Sequence, residues 1–259
     1  FGETYFLEKF SYDLAAEALA QESELVGRER EVTLMDKALL KSSGANVLII
    51  GEPGVGKHTV LLGLARMISR GLIFPELEHK RVFKFYPESL IAGGQRKGEV
   101  EALLIRFLNE AVHAGNIILA IDNFPEFIES LSSLGINGLE LFSPYLESPR
   151  IQLIALADKT SSRRILEPNQ ALLKFFERIE LAEPNLENLL KILEEAAPRL
   201  EGRPRNKTFF SYHALQKVAE SAVENLVEGS LPKRAVDLLE EVFNEGALKG
   251  RKIIEPEIV

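Results

Sequence analysis

The stretch GEPGVGKHTV, residues 51–60, decides the fold. In Gly51-x-x-x-x-Gly56-Lys57 the spacing is that of a turn whose backbone N–H groups, with the N-terminus of the helix behind them, point at phosphate oxygens. Lys57 adds a mobile positive charge, and the loop as a whole sets Pro53, Gly54, Val55, Gly56, Lys57, His58 and Thr59 against phosphate. This motif needs a strand before it and a helix after it. NVLIIG, residues 46–51, is a short apolar run suited to a buried strand, and residues 57–70 carry a helical period. One position departs from the pattern: where such loops carry Ser or Thr to ligate magnesium, this chain has His58.

Working outward, RVFKFY (81–86), NIILAID (116–122), IQLIALA (151–157) and RIEL (178–181) are further strand candidates separated by helical pattern. Alternation of this kind predicts a parallel sheet covered by helices on both faces. Asp122 ends the second of these runs, at a strand tip where a carboxylate can hold magnesium through water; the alternative is an Asp that merely caps the next turn. Upstream, residues 1–22 read as an approach segment with Phe6, Phe10, Leu14, Ala15 and Leu19 at helical spacing, and 29–40 as a helix. From residue 183 onward the strand signals stop and three amphipathic helical stretches follow. The expected organisation is therefore an α/β large subdomain with a parallel sheet (23–182), a small all-helical subdomain (183–250) and a tail or linker (251–259).

Composition narrows the function. The chain has 259 residues, 46% of them hydrophobic, and a net charge of −8. An acidic balance argues against a general nucleic-acid binder, which needs clustered Lys and Arg to neutralise phosphates. No apolar run reaches the length of a membrane span. The absence of cysteine fits a reducing compartment, so a cytoplasmic location is expected. Phe1 rather than Met opens the chain, which reads as an excerpt. His79, His113 and His213 are scattered without metal-ligand spacing.

LEKFSYDLAAEALAQESELVGRERE (7–31), GEPGVGKHT, SLIAGGQRKGEVEALL (89–104), IILAIDNF, SPYLES (143–148), EPNLENLLKIL (183–193) and LPKRAVDLLEE (231–241) follow one another in an order that resembles the first nucleotide-binding domain of the Clp-type AAA+ unfoldases and disaggregases. The resemblance covers residues 7–241. It implies a five-stranded parallel P-loop AAA+ sheet followed by a helical lid, with ATP or ADP held between them and residues 251–259 leading toward a following domain. It also implies a ring of like or related AAA+ subunits acting on a protein substrate or alongside a protease. By the same resemblance Leu25, Val26 and Ile192 would sandwich the adenine, although composition alone would make them core.

Five departures from that family bear on chemistry. His58 replaces a Thr, and imidazole is a poor ligand for a hard, oxygen-preferring ion, so the expected magnesium site is possible but weakened. Asn123 stands where the family has a catalytic Glu; an amide can hold water but cannot take its proton, and a positioned base contributes about 10²–10⁴ in rate. LKFF (173–176) matches the arginine-finger stretch and leaves Lys174 as its only cation. ALAD (155–158) puts Asp158 where the family senses the terminal phosphate with Thr, and GQRKG (94–98) puts Arg96 where a pore aromatic grips substrate. Glu126 is a second carboxylate near the strand tip, but Pro125 turns the chain there. Arg28, Arg30, Arg163 and Arg164 could each reach a neighbour's nucleotide in a ring or simply solvate the surface. The expectation is a retained nucleotide pocket whose hydrolysis is weakened or lost; the alternative is an active ATP-driven unfoldase subunit.

Overall fold

The computed structural model describes the chain apart from residues 1, 21–24, 26, 42–43, 95, 204–206 and 225–228. The chain divides into two units, one of Phe1–Glu22, Arg30–Gly51 and Lys57–Glu180, the other of Ser23–Glu29, Glu52–Gly56 and Leu181–Val259.

The first unit runs β1 (Ser11–Asp13), α1 (Ala15–Ala20), α2 (Glu29–Leu39), β2 (Asn46–Ile50), α3 (Lys57–Ser69), β3 (Arg81–Phe85), α4 (Pro87–Ala92), α5 (Lys97–Ala114), β4 (Ile117–Ile121), α6 (Phe124–Ser133), α7 (Gly138–Glu147), β5 (Ile151–Ala157), α8 (Lys159–Ser161), α9 (Gln170–Leu173) and β6 (Phe176–Glu180). The sheet order is β1-β3-β4-β5-β2-β6. Five strands are parallel, as the alternating pattern predicts. The sixth, β1, joins the edge antiparallel to β3. Every residue of β2, β4 and β5 is buried, which is why these segments read as unbroken apolar runs.

The approach segment is the main difference from expectation. Its apolar residues have helical spacing, yet the backbone makes a 3₁₀ turn at Leu7–Lys9, then β1, and only then α1. The sheet edge decides this, because Ser11–Asp13 pair with Phe83–Phe85 and satisfy backbone groups that a helix would have satisfied internally. Phe6, Leu7 and Leu14 are still buried. On one face of the sheet Phe83 and Phe85 pack with Phe107, Phe124, Phe127 and Phe142. Phe85 and Phe107 stack at 4.4 Å between ring centroids.

The second unit contains α10 (Leu186–Glu201), β7 (Phe209–Phe210), α11 (Tyr212–Glu224), α12 (Lys233–Leu248) and β8 (Ile253–Ile254). Its three helices are the predicted amphipathic ones, closed over Leu189, Leu193, Leu215, Val218, Leu239 and Phe243. Two-residue strands β7 and β8 pair in parallel beside them and draw the tail into this unit, a pairing too short for a sequence period to reveal.

Candidate functional site

Parallel strands of this topology deliver their loops to one end of the sheet. The register aligns Ile50 of β2 with Ala157 of β5, and Ala155 of β5 with Ile121 of β4. Gly51, Asp158 and Asp122 therefore follow three adjacent strand ends, and Gly51 N donates to Ala157 O at 3.0 Å. Lys57 opens α3, with its Nζ donating to Gly51 O at 2.5 Å. Asp158 caps α8, accepting from Ser161 N at 2.8 Å and from Ser161 Oγ at 2.7 Å. Burial works to raise the Asp158 pKa, but hydrogen bonds from Ser161 and Thr160 and the Lys57 charge outweigh it and hold the carboxyl below its ordinary range. A carboxylate thus lies within the field of Lys57.

His58, the departure in the loop, is half-buried, and its Nε2 lies 3.0 Å from Glu17 Oε1 on α1. Its other ring nitrogen, Nδ1, is buried without a hydrogen-bond partner. Tyr12 Oη reaches Glu17 Oε2 at 3.4 Å and stacks on Tyr86 at 5.3 Å. Burial, with hydrogen bonding to Tyr86, raises the Tyr12 phenol pKa. Thr59 is exposed on the first turn of α3.

At the tip of β4, Asp122 Oδ2 pairs with Lys84 Nζ at 3.2 Å, and Asp122 Oδ1 accepts from Asn123 N at 3.0 Å. Asn123 is exposed at φ 46°, ψ 46°, the one positive-φ residue other than glycine among those described. Asn is one of the few residues besides glycine that adopt this left-handed conformation with any frequency. Glu126 contacts the Ser161 hydroxyl through Oε1. Lys174 is exposed after α9, with Nζ 4.7 Å from the Phe175 ring centroid.

The remaining predicted positions fall in the second unit. The turn Glu52–Gly56 needs left-handed backbone at Gly54 (φ 86°) and Gly56 (φ 103°), and a Cβ on Gly54 would stand 2.8 Å from Lys233 Cβ. Ser230 Oγ donates to Pro53 O, and Lys233 N to Gly54 O at 3.4 Å. Arg28 is 7% exposed; its Nη2 donates to Val55 O at 2.7 Å and to Ala182 O at 2.9 Å. Neither sequence alternative for Arg28 describes this, since it is buried and braces the loop from within its own chain. Leu25 and Ile192 are both half-buried. Gly27 packs against Asn188, four residues before Ile192 on α10, so the segment carrying Leu25 meets the helix carrying Ile192. Val26 lies outside the described residues.

Sequence reasoning missed Glu17 and Lys84. Neither belongs to a motif, and their partners are 41 and 38 residues away in the chain, reached only through helix packing and strand register.

No family model matches the chain. Among known proteins it is 31% identical over 241 residues to the chaperone protein ClpB of Helicobacter hepaticus, an alignment covering 92% of this chain and 28% of that one. It is likewise 31% identical over 241 residues to the Clp protease ATP-binding subunit ClpC of Staphylococcus epidermidis, covering 90% and 29%. The chain spans less than a third of these relatives' lengths. The solved Hsp104–ADP complex of Saccharomyces cerevisiae superposes with a TM-score of 0.84 at 25% identity, covering 96% of this chain and 43% of that one. With its P-loop between β2 and α3, its parallel sheet and these similarities, the chain belongs to the Clp-type AAA+ domains.

Proposed function

We propose that this chain is an adenine-nucleotide-binding AAA+ module of a Clp-like cytoplasmic ATPase, with ATP hydrolysis weakened or lost and a mainly assembly or regulatory role. The observation that carries this reading is an intact phosphate-loop sequence, Gly51 to Lys57, in a chain whose β4 is followed by Asp122 and an amide, Asn123. The loop N–H groups and Lys57 bind phosphate, while Leu25, Val26 and Ile192 hold the base. Asn123 orients a water without accepting its proton. Lys174 is the sole cation of the stretch that would reach a neighbouring subunit in a ring, and an ammonium lacks the planar fork of a guanidinium. A polar loop at Gly94 and Arg96 suits contact with a neighbour or partner better than gripping apolar substrate. Like or related AAA+ subunits are the expected partners, with a protein substrate or a protease engaged by the assembly as a whole. Within the described residues no helix is long and apolar enough to cross a membrane.

The test compares binding with turnover. Calorimetry should show ADP and ATP binding that Lys57→Ala removes, while phosphate release stays at background at every protein concentration. Turnover by the parent chain that rises with concentration overturns the reading in favour of an active unfoldase subunit; equal ADP affinity for Lys57→Ala and the parent removes its nucleotide-binding premise.

A further inference from the structure

The carboxylate at the tip of β4 already has a cation. Lys84 of β3 stands opposite Ala120 of β4, and the two-residue alternation of a strand carries the face of Ala120 on to position 122. Ala120 is small enough for the lysine stem to lie across it. The Lys84 ammonium sits 3.2 Å from Asp122 Oδ2, with 17% of the lysine side chain and 36% of the aspartate exposed. At the second position where a metal ligand is expected there is an imidazole, engaged at 3.0 Å by Glu17. Magnesium demands oxygen ligands in near-octahedral array. The donor set does not fit magnesium.

We propose that Lys84 supplies the positive charge that a divalent ion supplies elsewhere, so that this chain binds ADP or ATP independently of metal. The inference rests on the nucleotide-binding reading above. An unpaired carboxylate at position 122 repels phosphate, and in a metal-dependent site the ion relieves that repulsion. Here the ammonium of Lys84 neutralises Asp122 from within the sheet. A divalent ion approaching Asp122 meets a like charge in the place it would take. The pair is only partly solvated, so water and salt screen it less than an exposed pair.

The experiment is calorimetric titration of ADP into the full chain with excess magnesium and, separately, with EDTA. The two dissociation constants should agree within about threefold. Lys84→Met leaves the Asp122 charge uncompensated and should weaken binding in EDTA by about tenfold or more, with magnesium recovering part of the loss. The double variant Lys84→Met, Asp122→Asn removes both charges and should bind in EDTA as the parent does, which also shows that the lysine is not needed for folding. Parent binding that is tenfold tighter with magnesium overturns the inference and leaves the nucleotide-binding reading standing. So does a Lys84→Met variant that binds normally in EDTA, or a double variant that stays as weak as the single. Absence of binding in both buffers overturns the nucleotide-binding reading and the inference together.

Discussion

Asn123 carries two properties at once: in the proposed function, an amide where hydrolysis wants a carboxylate, and in the structure a backbone at φ 46° that most residues resist. A left-handed residue costs roughly 1–2 kcal/mol for an ordinary L-amino acid, with Gly and, in part, Asn exempt. Asn123→Glu should therefore destabilise the chain by about 1 kcal/mol, whereas Asn123→Gly should be close to neutral. Urea unfolding of the three proteins checks this, and coincident midpoints for the Glu and Gly variants would show that the turn carries no such strain. The identity of Asn123 was legible in the sequence, because the motif fixes its position after Asp122. Its conformation was not, because a strand-to-helix turn can be made in several ways and nothing in AIDNFPE selects one. Arg28 was less legible still. An arginine in GRER reads as solvated surface until the chain brings Val55 O and Ala182 O to the same guanidinium.

At the scale of elements, continuous apolar runs announced β2, β4 and β5, and amphipathic periods announced α10, α11 and α12, because burial on both faces and burial on one face leave different patterns. Three-residue β1 leaves none, and only the antiparallel register with β3 exposes it. The short helix α8 depends on its cap. Asp158 holds the N–H and the hydroxyl of Ser161, and those bonds set its pKa below the ordinary value. A carboxyl with a depressed folded-state pKa contributes stability that is fully present above its unfolded pKa of about 3.9 and lost as pH falls through the lower folded value. Stability should thus decline from about pH 5 downward partly through Asp158, and Asp158→Asn should flatten that limb while lowering stability at neutral pH. Unfolding midpoints measured across this range decide it; parallel pH profiles for variant and parent would mean that the cap's charge does not matter to folding. The same substitution removes a negative charge from the field of Lys57, so tighter nucleotide binding should accompany it.

At the scale of the whole molecule, the proposed function makes the changed parts members of one reaction, and they should then fail as a set. A base, a metal ligand and a finger act in the same transition state, so restoring one while the others are missing recovers little. Asn123→Glu alone should leave phosphate release at background, the more so because its backbone resists the change. His58→Thr supplies a hydroxyl at the loop, and Phe175→Arg supplies a guanidinium beside Lys174, but Lys84 is still paired with Asp122. The prediction is that Asn123→Glu, His58→Thr and Phe175→Arg together stay inactive, and that adding Lys84→Ala yields turnover that depends on magnesium. A finger serves the adjoining subunit's site, so that turnover should rise faster than linearly with protein concentration and vanish on dilution. Phosphate release across a concentration series, with and without EDTA, separates the outcomes. Activity already present in the triple variant would mean that Lys84 does not obstruct the metal position, and concentration-independent activity in the quadruple variant would mean that Phe175→Arg works within its own subunit and that the stretch from Leu173 to Phe176 does not face a neighbour.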